Sequence, residues 1–417
     1  MTRFDPGTKA MKREPFGTHL EATTLGETVR AFVPPALPPD PPLAFMAGSQ
    51  RALDRAMLSL GRLDGIATTM PEVDLLLYTF VRKEAVLSSQ IEGTQSTLDE
   101  LLAHEIAAVP GAAGDDVREV SRYVDAMNHG LERMAGGFPL STRLLREMHG
   151  ILLADGRGAQ KQPGEFRRSQ NWIGGTRPGN ADFVPPPPTH LDECLTNLER
   201  YLHEPATPVV KAALAHAQFE TIHPFLDGNG RVGRLLITLM LCHDGVLHKP
   251  LLYPSLYFKQ HRPQYYAELN AVRATGDYER WVDFFAEAIR HSAEVAIETG
   301  RRIARAFRED RVQLRAVPRI AGSLLMIQEA LQTKPVATVA TLRAATGLTT
   351  PTVNSLLREL EARSIVKETT GRARDRVYVY RRYLDALAAE EEAPVRIGAS
   401  KDARDAVGSS HLRSVHS

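Results

Sequence analysis

The stretch TIHPFLDGNGRVGR, Thr221–Arg234, decides how this 417-residue chain is interpreted. It contains a histidine, an acidic residue, a Gly-Asn-Gly segment and two arginines. The preceding segment, PVVKAALAHAQFETI, has the apolar spacing of a helix, and Pro224 disfavours its continuation. The glycines permit a tight loop, and RVGRLLITLMLC predicts a second, largely buried helix. We therefore predict two helices joined by a loop that carries chemically active side chains.

The loop has the features of a phosphate-binding site. Gly228, Asn229 and Gly230 are predicted to lie at the N-terminus of the second helix, where unpaired N–H groups and the positive dipole end favour phosphate. Arg231 and Arg234 are three residues apart and share a helix face, from which both could contact a polyphosphate.

The same loop offers a metal ligand and a base. Asp227 could hold Mg²⁺ against the phosphates, because hard cations prefer oxygen ligands. His223 titrates near neutrality and could remove a proton from a hydroxyl group. Any one of these residues alone is more often an ordinary turn residue, but a plain turn does not require all of them together. His216, on the preceding helix, is interpreted as a core or supporting histidine.

Composition excludes several classes of protein. The 51 Lys and Arg against 50 Asp and Glu give a net charge of +1, so no overall field attracts nucleic acid or membranes. The cysteines Cys194 and Cys242 form neither a disulfide framework nor a metal motif. The N-terminus lacks the apolar segment of a signal peptide, and the longest apolar stretch, Leu235–Cys242, is too short to span a membrane. We expect a cytoplasmic protein of several domains without membrane contact.

The chain divides into five predicted regions. Helical spacing dominates, including a helix from Pro71 to Gly93 and another for which Ser96 is a plausible N-cap. The segment Gly164–Pro188 instead alternates around glycines, which predicts a β-hairpin followed by an extended segment. The regions are an extended Pro-rich arm (1–45), an N-terminal helical region (46–125), a helical core (126–300), a C-terminal domain (317–385) and a disordered tail (386–417).

The C-terminal domain is predicted to be a winged helix, because residues 317–385 show three helices followed by two alternating segments. GRARDRVYVYRR would supply a basic wing. Winged helices bind DNA or dock on proteins, so both kinds of partner stay open. The third helix begins with small polar residues that could meet bases or phosphates: Thr349, Thr350, Thr352, Asn354 and Ser355.

HPFLDGNGRVGR resembles the signature of the Fic family, and the resemblance extends from about Pro71 to Arg290. It includes the Tyr265–Tyr266 pair and the segment GDYERWVDFF. Fic proteins are mostly α-helical and transfer AMP from ATP to a hydroxyl side chain of a target protein. The resemblance therefore implies a mainly α fold, with a helical Fic-type core and a small β-hairpin flap, beside the C-terminal winged-helix domain.

The resemblance also implies residue roles. His223 would be the general base, and Asp227 would ligate Mg²⁺ at the α- and β-phosphates of ATP. Gly228 favours AMP transfer, because relatives that transfer phosphate often carry a bulkier residue there. Tyr265 and Tyr266 would line the adenine pocket, although aromatic residues at this spacing are equally often core residues. The remaining nucleotide-binding residues would be Asn229 and Gly230 of the anion hole, Arg231 and Arg234 on the distal phosphates, and the intervening Val232 and Gly233.

A second motif, LSSQIEGT, lies at the end of the helix that begins at Pro71. Ser88 and Glu92 are four residues apart and share a face, and a carboxylate at a helix C-terminus is unfavourable without a cationic partner. On residue physics alone a solvated glutamate is the commoner interpretation. Ser-x-x-x-Glu-Gly resembles the inhibitory motif of Fic proteins whose inhibitory helix precedes the core. The resemblance implies that Ser88, Glu92 and Gly93 form a brake in which Glu92 pairs with Arg234 and blocks the γ-phosphate.

The resemblance implies partners as well. The flap, Gly164–Gly175, would hold a target protein by strand addition. Homodimers are common among Fic proteins, so a homodimer is a further expectation. The preferred prediction is an autoinhibited protein adenylyltransferase that uses ATP and Mg²⁺. Two alternatives stay open: a DNA-binding regulator that only senses nucleotide, and phosphoryl transfer or AMP removal at the same site.

Overall fold

The computed structural model describes residue 13 and residues 16–70, 73–107, 114–371 and 375–388. The predicted helix start at Pro71 lies outside the described residues, and so does the predicted disordered tail (386–417) from residue 389 onward. The first three residues of that tail, 386–388, are helical, so the prediction is wrong there. In the described residues the fold is mainly helical. Strands β1 (Thr18–Thr24) and β2 (Glu27–Val33) precede helices α1 (Ala47–Thr69), α2 (Val73–Ile91), α3 (Leu98–Ala107), α4 (Asp115–Ala135), α5 (Thr142–Leu152), α6 (Pro188–Leu202), α7 (Pro208–Ile222), α8 (Asn229–His243), α9 (Ser255–Gln260), α10 (Arg262–Thr275) and α11 (Tyr278–Arg315).

Helices α7 and α8 form the centre of the core. Every residue of α7 from Val209 to Ile222 is buried, as expected for a helix that is largely apolar all round. Helix α8 packs against α7, and helices α1, α2, α4, α5, α6, α10 and α11 surround the pair. Trp281 ties α11 to α7, because its indole Nε1 donates a 2.7 Å hydrogen bond to the carbonyl oxygen of Ala213. The central pair thus holds the intervening loop in a rigid frame.

Three helices cross the region boundaries that the sequence predicted. Helix α4 spans the boundary at 125/126, α11 continues past residue 300 to Arg315, and a C-terminal helix (Arg381–Ala388) spans the boundary at 385/386. Helix α2 packs on α4, α8 and α9, so the N-terminal helices and the catalytic region share one core. The predicted boundaries were placed by changes in sequence pattern, and a helix that continues from one packing environment into the next shows no such change.

The Pro-rich arm contains a β-hairpin that the sequence interpretation missed. Strands β1 and β2 pair antiparallel, with Thr24 opposite Glu27, and the two-residue turn Leu25–Gly26 has φ of 49° and 79°. Positive φ at both turn positions is typical of a type I′ turn. Leu-Gly is an unusual sequence for this turn, since asparagine or aspartate usually stands first, so the hairpin gave no recognisable signal.

The segment 164–188 differs from the predicted hairpin. The described residues show a single antiparallel bridge between Ile173 and Phe183 and a short 3₁₀ turn at Pro178–Asn180. Prolines 185–188 have no N–H group to donate to a strand partner. The segment is held by side chains instead: the Arg167 guanidinium donates to the Pro186 carbonyl oxygen at 2.5 Å. Strand β2 adds one backbone bond, from Phe32 N to Val184 O at 2.9 Å.

The turn between α2 and α3 is closely hydrogen-bonded. Thr97, rather than the predicted Ser96, caps α3: Thr97 N donates to Glu100 Oε2 at 2.9 Å, and Glu100 N donates to Thr97 Oγ1 at 3.3 Å. The Gln90 side chain donates to the Ser96 carbonyl oxygen at 2.8 Å and accepts from Lys259 Nζ at 2.6 Å. These bonds fix the turn that carries Glu92.

The C-terminal unit packs against the end of α11 and against α2 and α3. Its three strands are β3 (Val336–Thr338), β4 (Val366–Glu368) and β5 (Val377–Tyr380). They form an antiparallel sheet in the order β3-β5-β4. Tyr380 Oη donates to Asp310 Oδ2 at 2.5 Å, which ties the unit to α11. The assignment of this unit as a winged helix stays a prediction. Its elements are α12 (Ala321–Thr333), β3 (Val336–Thr338), α13 (Val339–Thr346), α14 (Thr350–Ala362), β4 (Val366–Glu368), β5 (Val377–Tyr380) and α15 (Arg381–Ala388).

None of the helices in the described ranges combines the length and apolar character that a membrane span requires.

Candidate active site

The α7–α8 loop is closed by the side chain of Asn229. Its Oδ1 accepts from Phe225 N and its Nδ2 donates to Phe225 O, both at 2.8 Å, and the residue is buried. Gly228 adopts the left-handed conformation with φ of 77° and caps α8, a conformation that favours glycine. The first N–H groups of α8 have no carbonyl one turn back to pair with. Asn229 therefore shapes the loop with its side chain and leaves backbone N–H groups for a ligand.

His223 is held by its backbone and presents a neutral ring. It ends α7 in the left-handed conformation, φ 49° and ψ 60°. Its carbonyl oxygen accepts from Arg167 Nε at 2.9 Å and from Asn171 Nδ2 at 3.2 Å. Burial and the charges of Arg273 and Arg167 lower the pKa of His223 to about 3. Among the described residues, the buried Nδ1 of His223 has no hydrogen-bond partner. The ring is therefore unprotonated at neutral pH and able to accept a proton.

His216 is a core residue, as interpreted from the sequence. Its Nδ1 lies 2.8 Å from Gly233 O and its Nε2 lies 2.8 Å from Tyr265 Oη. Burial lowers the pKa of His216 to about 3, so the ring is neutral, with Nδ1 donating and Nε2 accepting. The hydroxyl of Tyr265 is therefore committed to His216, and Tyr265 is buried in the core. Tyr266, 38% exposed, is the member of the tyrosine pair that a ligand can reach.

His149 supports the loop and was missed by the sequence interpretation. Its Nδ1 accepts from Gly164 N at 2.9 Å, so its Nε2 donates to Asp227 O at 3.0 Å. The ring stacks on Phe225 with a centroid distance of 3.7 Å. His149 thus connects the start of the flap to the catalytic loop. Nothing in its local sequence links it to the motif, because α5 reaches the loop only through the tertiary fold.

Asp227 has one carboxylate available for a cation. Its side chain is 35% exposed, and Oδ1 accepts from Gly228 N at 2.6 Å and from Arg231 Nη2 at 3.4 Å. A hard cation that takes its other ligands from phosphates and water needs only one such carboxylate. The described ranges contain no cluster of three or more His, Cys, Asp or Glu residues that could hold a metal ion by themselves. The residues present therefore fit Mg²⁺ only together with phosphate oxygens.

Arg234 forms hydrogen bonds with Ser88 in the last turn of α2 and with Glu92 just after it. Its Nη2 donates to Glu92 Oε1 at 2.6 Å and to Ser88 O at 3.0 Å, and its Nε donates to Ser88 Oγ at 2.7 Å. Burial alone would raise the pKa of Glu92, but the charge and hydrogen bond of Arg234 bring it below its ordinary value. The pair is therefore ionised at neutral pH.

The Glu92 carboxylate lies directly over the first turn of α8. A Cβ atom built on Gly230 would stand 2.3 Å from Glu92 Oε1. The carboxylate thus occupies the position at the helix N-terminus where an anion would be most stabilised. Gly230 is required here because any side chain would collide with Glu92. Gly93, with φ of 101°, provides the left-handed turn that follows.

Arg231 is engaged by a second carboxylate, which the sequence interpretation did not predict. Its Nη1 donates to Glu119 Oε1 at 2.6 Å, and both side chains are almost completely buried, with 1% and 3% exposure. Arg157 approaches the same Glu119 oxygen at 3.2 Å and reaches Glu92 O at 3.5 Å. Both arginines of the motif therefore have carboxylate partners in this structure, and a role of Arg231 on distal phosphates stays a prediction.

Glu220 is a third carboxylate beside α8. It is buried, and its Oε1 has no hydrogen-bond partner among the described residues. A Cβ atom built on Gly233 would lie 2.4 Å from this oxygen, which explains why Gly233 carries no side chain. Burial raises the pKa of Glu220 to about 7, because the nearby Arg234 charge compensates only in part.

The fold and the site together define a class of protein. It is a helical domain in which the N-terminus of α8 can bind phosphate, the neutral His223 lies beside it, and the Glu92 carboxylate pairs with Arg234. Residues 139–241 match the model of the Fic/DOC family, and residues 50–132 match the model of the Fic/DOC family N-terminal region. The chain therefore contains a Fic/DOC domain preceded by a Fic/DOC N-terminal region.

Curated relatives are named protein adenylyltransferase Fic. Those of Drosophila ananassae and Drosophila melanogaster are each 31% identical to this chain over 211 residues, which is 49% of this chain and 39–40% of their own length. The chain thus spans about two-fifths of these relatives. A Fic family protein from Desulfovibrio desulfuricans G20 has the same fold, with a TM-score of 0.52 and 20% identity over 81% of this chain and 97% of its own.

Proposed function

We propose that this protein transfers AMP from ATP to a hydroxyl group of a target protein. The observation that carries the proposal is the neutral His223, whose Nδ1 has no hydrogen-bond partner in the described part of the chain, beside the N-terminus of α8 and the buried Arg234. The names of the curated relatives support the same activity. A site of this kind combines a base with fixed positive charge, and phosphoryl-group chemistry depends mainly on positioning and electrostatics.

In the proposed reaction, His223 accepts the proton of the target hydroxyl. The hydroxyl oxygen then attacks the α-phosphorus of ATP, a new P–O bond forms, and the bond to the β-phosphate oxygen breaks. Pyrophosphate leaves with the electron pair of the broken bond. The backbone N–H groups of Asn229 and Gly230 stabilise the negative charge on the phosphate oxygens. Arg234 contributes positive charge once Glu92 has left it.

Mg²⁺ would be held by Asp227 together with phosphate oxygens, and it would supply positive charge against the triphosphate. The two hydrogen bonds to Asp227 Oδ1, from Gly228 N and Arg231, orient this carboxylate, and Oδ2 takes no part in either bond.

We propose that the structure is the inhibited state of the enzyme. The carboxylate of Glu92 neutralises Arg234 and covers the N–H groups of α8 that a phosphate would use. Ser88 strengthens the pair because it holds the guanidinium in place with two hydrogen bonds. Activation then requires the turn after α2 to move, which releases Arg234 and opens the first turn of α8.

The flap, Gly164–Gly175, is the proposed docking segment for the target. Two hydrogen bonds fix the start of the flap near the α7–α8 loop. Gly164 N donates to His149 Nδ1, and Arg167 Nε donates to the carbonyl oxygen of His223. A peptide that lay along this segment would therefore be held at a set distance from the His223 ring. Backbone pairing of this kind places little demand on the target sequence.

The test compares the wild type, Glu92→Gly and His223→Ala in the presence of Mg²⁺ and ATP labelled on either the α- or the γ-phosphate. We expect α-label on the protein itself or on lysate proteins, with more label for Glu92→Gly and none for His223→Ala. Transfer of γ-label would establish phosphoryl transfer instead. No transfer of either label by a folded Glu92→Gly variant would contradict the proposal and favour a nucleotide-sensing regulator.

A further inference from the structure

The positive charge of the chain is concentrated at its C-terminal unit. Residues 334–388 contain ten Lys and Arg against five Asp and Glu, so this segment carries a formal charge of +5. The whole chain carries only +1, which means that the remainder is negative. The overall balance therefore hides a strongly basic region, and basic regions of this kind attract polyanions.

Helices α13 and α14 of this unit form a helix-turn-helix. Helix α13 ends at Gly347, whose φ of 71° allows a sharp turn, and α14 begins after Thr349. Thr349 caps α14, since its Oγ1 accepts from Thr352 N at 3.4 Å. Leu342 of α13 and Leu357 of α14 are buried in the same core as the residues of α12. A second helix fixed in this way projects its outer face from the protein.

One face of α14 is uncovered. Its buried residues are Val353, Leu356, Leu357 and Leu360, and it packs on α12, α13 and β4. Pro351, Ser355 and Arg358 are exposed and lie at i, i+4 and i+7, which places them in one stripe on the opposite face. The stripe has small side chains, proline and then serine, at the N-terminal end of the helix and ends in a cation. Such a surface can enter a groove closely and make hydrogen bonds inside it.

The cations near this face are not neutralised. Arg358 on α14 and Arg343 on α13 are exposed, and neither forms an ion pair within the described ranges. By contrast, the motif arginines Arg231 and Arg234 each have a carboxylate partner. Unpaired arginines on two successive helices are suited to phosphates of a nucleic acid backbone.

We propose that the C-terminal unit binds double-stranded DNA, with the Pro351–Ser355–Arg358 face of α14 in the major groove. The major groove, about 12 Å wide, admits an α-helix. Arg343 and Arg358 contact phosphates or base edges, and Ser355 is placed to hydrogen-bond to a base. This activity is separate from AMP transfer, because α14 packs on α12, α13 and β4 and shares no residue with the α7–α8 loop.

The test measures the fluorescence anisotropy of a labelled DNA duplex of random sequence with the full chain at several salt concentrations. We expect a Kd on the order of 1–100 µM near physiological salt, and weaker binding as salt rises. The double variant Arg343→Ala/Arg358→Ala should bind more weakly, and the slope of log K against log salt should decrease by about 1 for each lost phosphate contact.

The matched control is Arg51→Ala/Arg62→Ala, which removes two exposed arginines from α1 and leaves the same net charge. The control and His223→Ala should bind DNA like the wild type. Circular dichroism melting checks that each variant is folded. No binding at low salt, or equal weakening by the two double variants, would overturn the proposal and indicate that the α14 face serves another partner such as a protein.

Discussion

Two helices of the N-terminal region each deliver one carboxylate to α8, and the two contacts differ in kind. Glu92 lies in the turn after α2 with 31% of its side chain exposed, whereas Glu119 lies within α4 with 3% exposed. Both distances to the arginine are 2.6 Å. The two ion pairs therefore have the same N–O distance but differ in the solvent exposure of the carboxylate. Water can replace Arg234 as a partner of Glu92, but it cannot reach Glu119.

The difference assigns a different role to each pair. An ion pair whose carboxylate is partly exposed opens at smaller cost than a fully buried one, because water can solvate the released Glu92 while Arg234 keeps its hydrogen bonds to Ser88. A buried pair that loses one partner leaves an uncompensated charge in the core, which is strongly destabilising. We infer that Glu92–Arg234 is the contact that moves during activation and that Glu119–Arg231 remains closed and holds the first turn of α8 in place.

The largest effect is expected for Glu92→Gly. The rate of α-label transfer should rise at least about tenfold, which corresponds to about 1.4 kcal/mol of released inhibition. The free energy of unfolding should fall by only about 1 kcal/mol, because the removed carboxylate is partly exposed and the buried Arg234 keeps its two hydrogen bonds to Ser88. Glu92→Gln is the matched control: it keeps a hydrogen-bond acceptor for Arg234 without the charge, and its rate should fall between the wild type and the glycine variant. An unchanged rate in folded Glu92→Gly would break the comparison.

Glu119→Gln should have the opposite profile. Removal of the buried charge leaves Arg231 with an uncharged hydrogen-bond acceptor at position 119, and its remaining ion pair is the 3.4 Å contact to Asp227, so we expect the free energy of unfolding to fall by roughly 2–4 kcal/mol. The transfer rate should not rise. Urea unfolding of this variant is compared with that of Glu132→Gln, which changes an exposed glutamate of the same helix. Activation by Glu119→Gln without loss of stability would show that both pairs are brakes.

Glu220 extends the comparison to a third buried carboxylate, whose Oε1 accepts no hydrogen bond from any described residue. Its folded pKa of about 7 lies above the ordinary value of 4.5, so the folded state binds its proton more tightly than the unfolded state. The stability that this residue contributes is therefore present at low pH and lost as pH rises through about 7. Glu220→Gln should stabilise the fold by on the order of 1–3 kcal/mol at about pH 8 and by much less at about pH 5. Thermal melts of Glu132→Gln at the two pH values serve as the control, and equal effects of Glu220→Gln at both would contradict the assignment.

The smallest effect is expected for Arg157→Ala. The Arg157 side chain is 53% exposed and links the two ion pairs, because its Nη2 donates to Glu119 Oε1 and to the carbonyl oxygen of Glu92. Exposed ion pairs contribute about 0–1 kcal/mol, so the transfer rate should rise by no more than about fivefold and the unfolding free energy should fall by less than about 1 kcal/mol. A change as large as that of Glu92→Gly would mean that the two pairs open together.

The sequence predicted the parts of the site that lie close together along the chain. The α7–loop–α8 arrangement follows from apolar spacing, Pro224 and the glycines, and the structure places Glu92 on Arg234 as the resemblance implied. Glu119, His149 and Arg167 could not be found in this way, because each reaches the loop from a distant part of the chain and has no distinctive spacing. Long-range pairing depends on how helices pack, and a single sequence contains no direct signal of that.

Two local errors have local causes. The β1–β2 hairpin is not evident from the sequence because its turn is Leu25–Gly26. The alternating pattern of the flap predicts a regular hairpin, but the prolines lack the N–H donors that a second strand would need, and only one bridge forms in the described residues. The sequence does not decide whether Tyr265 is a core residue or lines an adenine pocket. In the structure Tyr265 is buried, and its hydroxyl donates to the neutral His216. The outcomes for the flap and for Tyr265 depend on hydrogen-bond partners that the sequence pattern does not contain.

The central claim is that Glu92 occupies the place of a distal phosphate on α8. The most direct measurement is the calorimetric affinity of ATP and of AMP, with Mg²⁺, for His223→Ala and for Glu92→Gly/His223→Ala, in which turnover is prevented. The account predicts that Glu92→Gly tightens the binding of ATP and leaves the binding of AMP unchanged, because only ATP has phosphates that compete with the carboxylate. An equal gain for both nucleotides, or no gain for either, would contradict it.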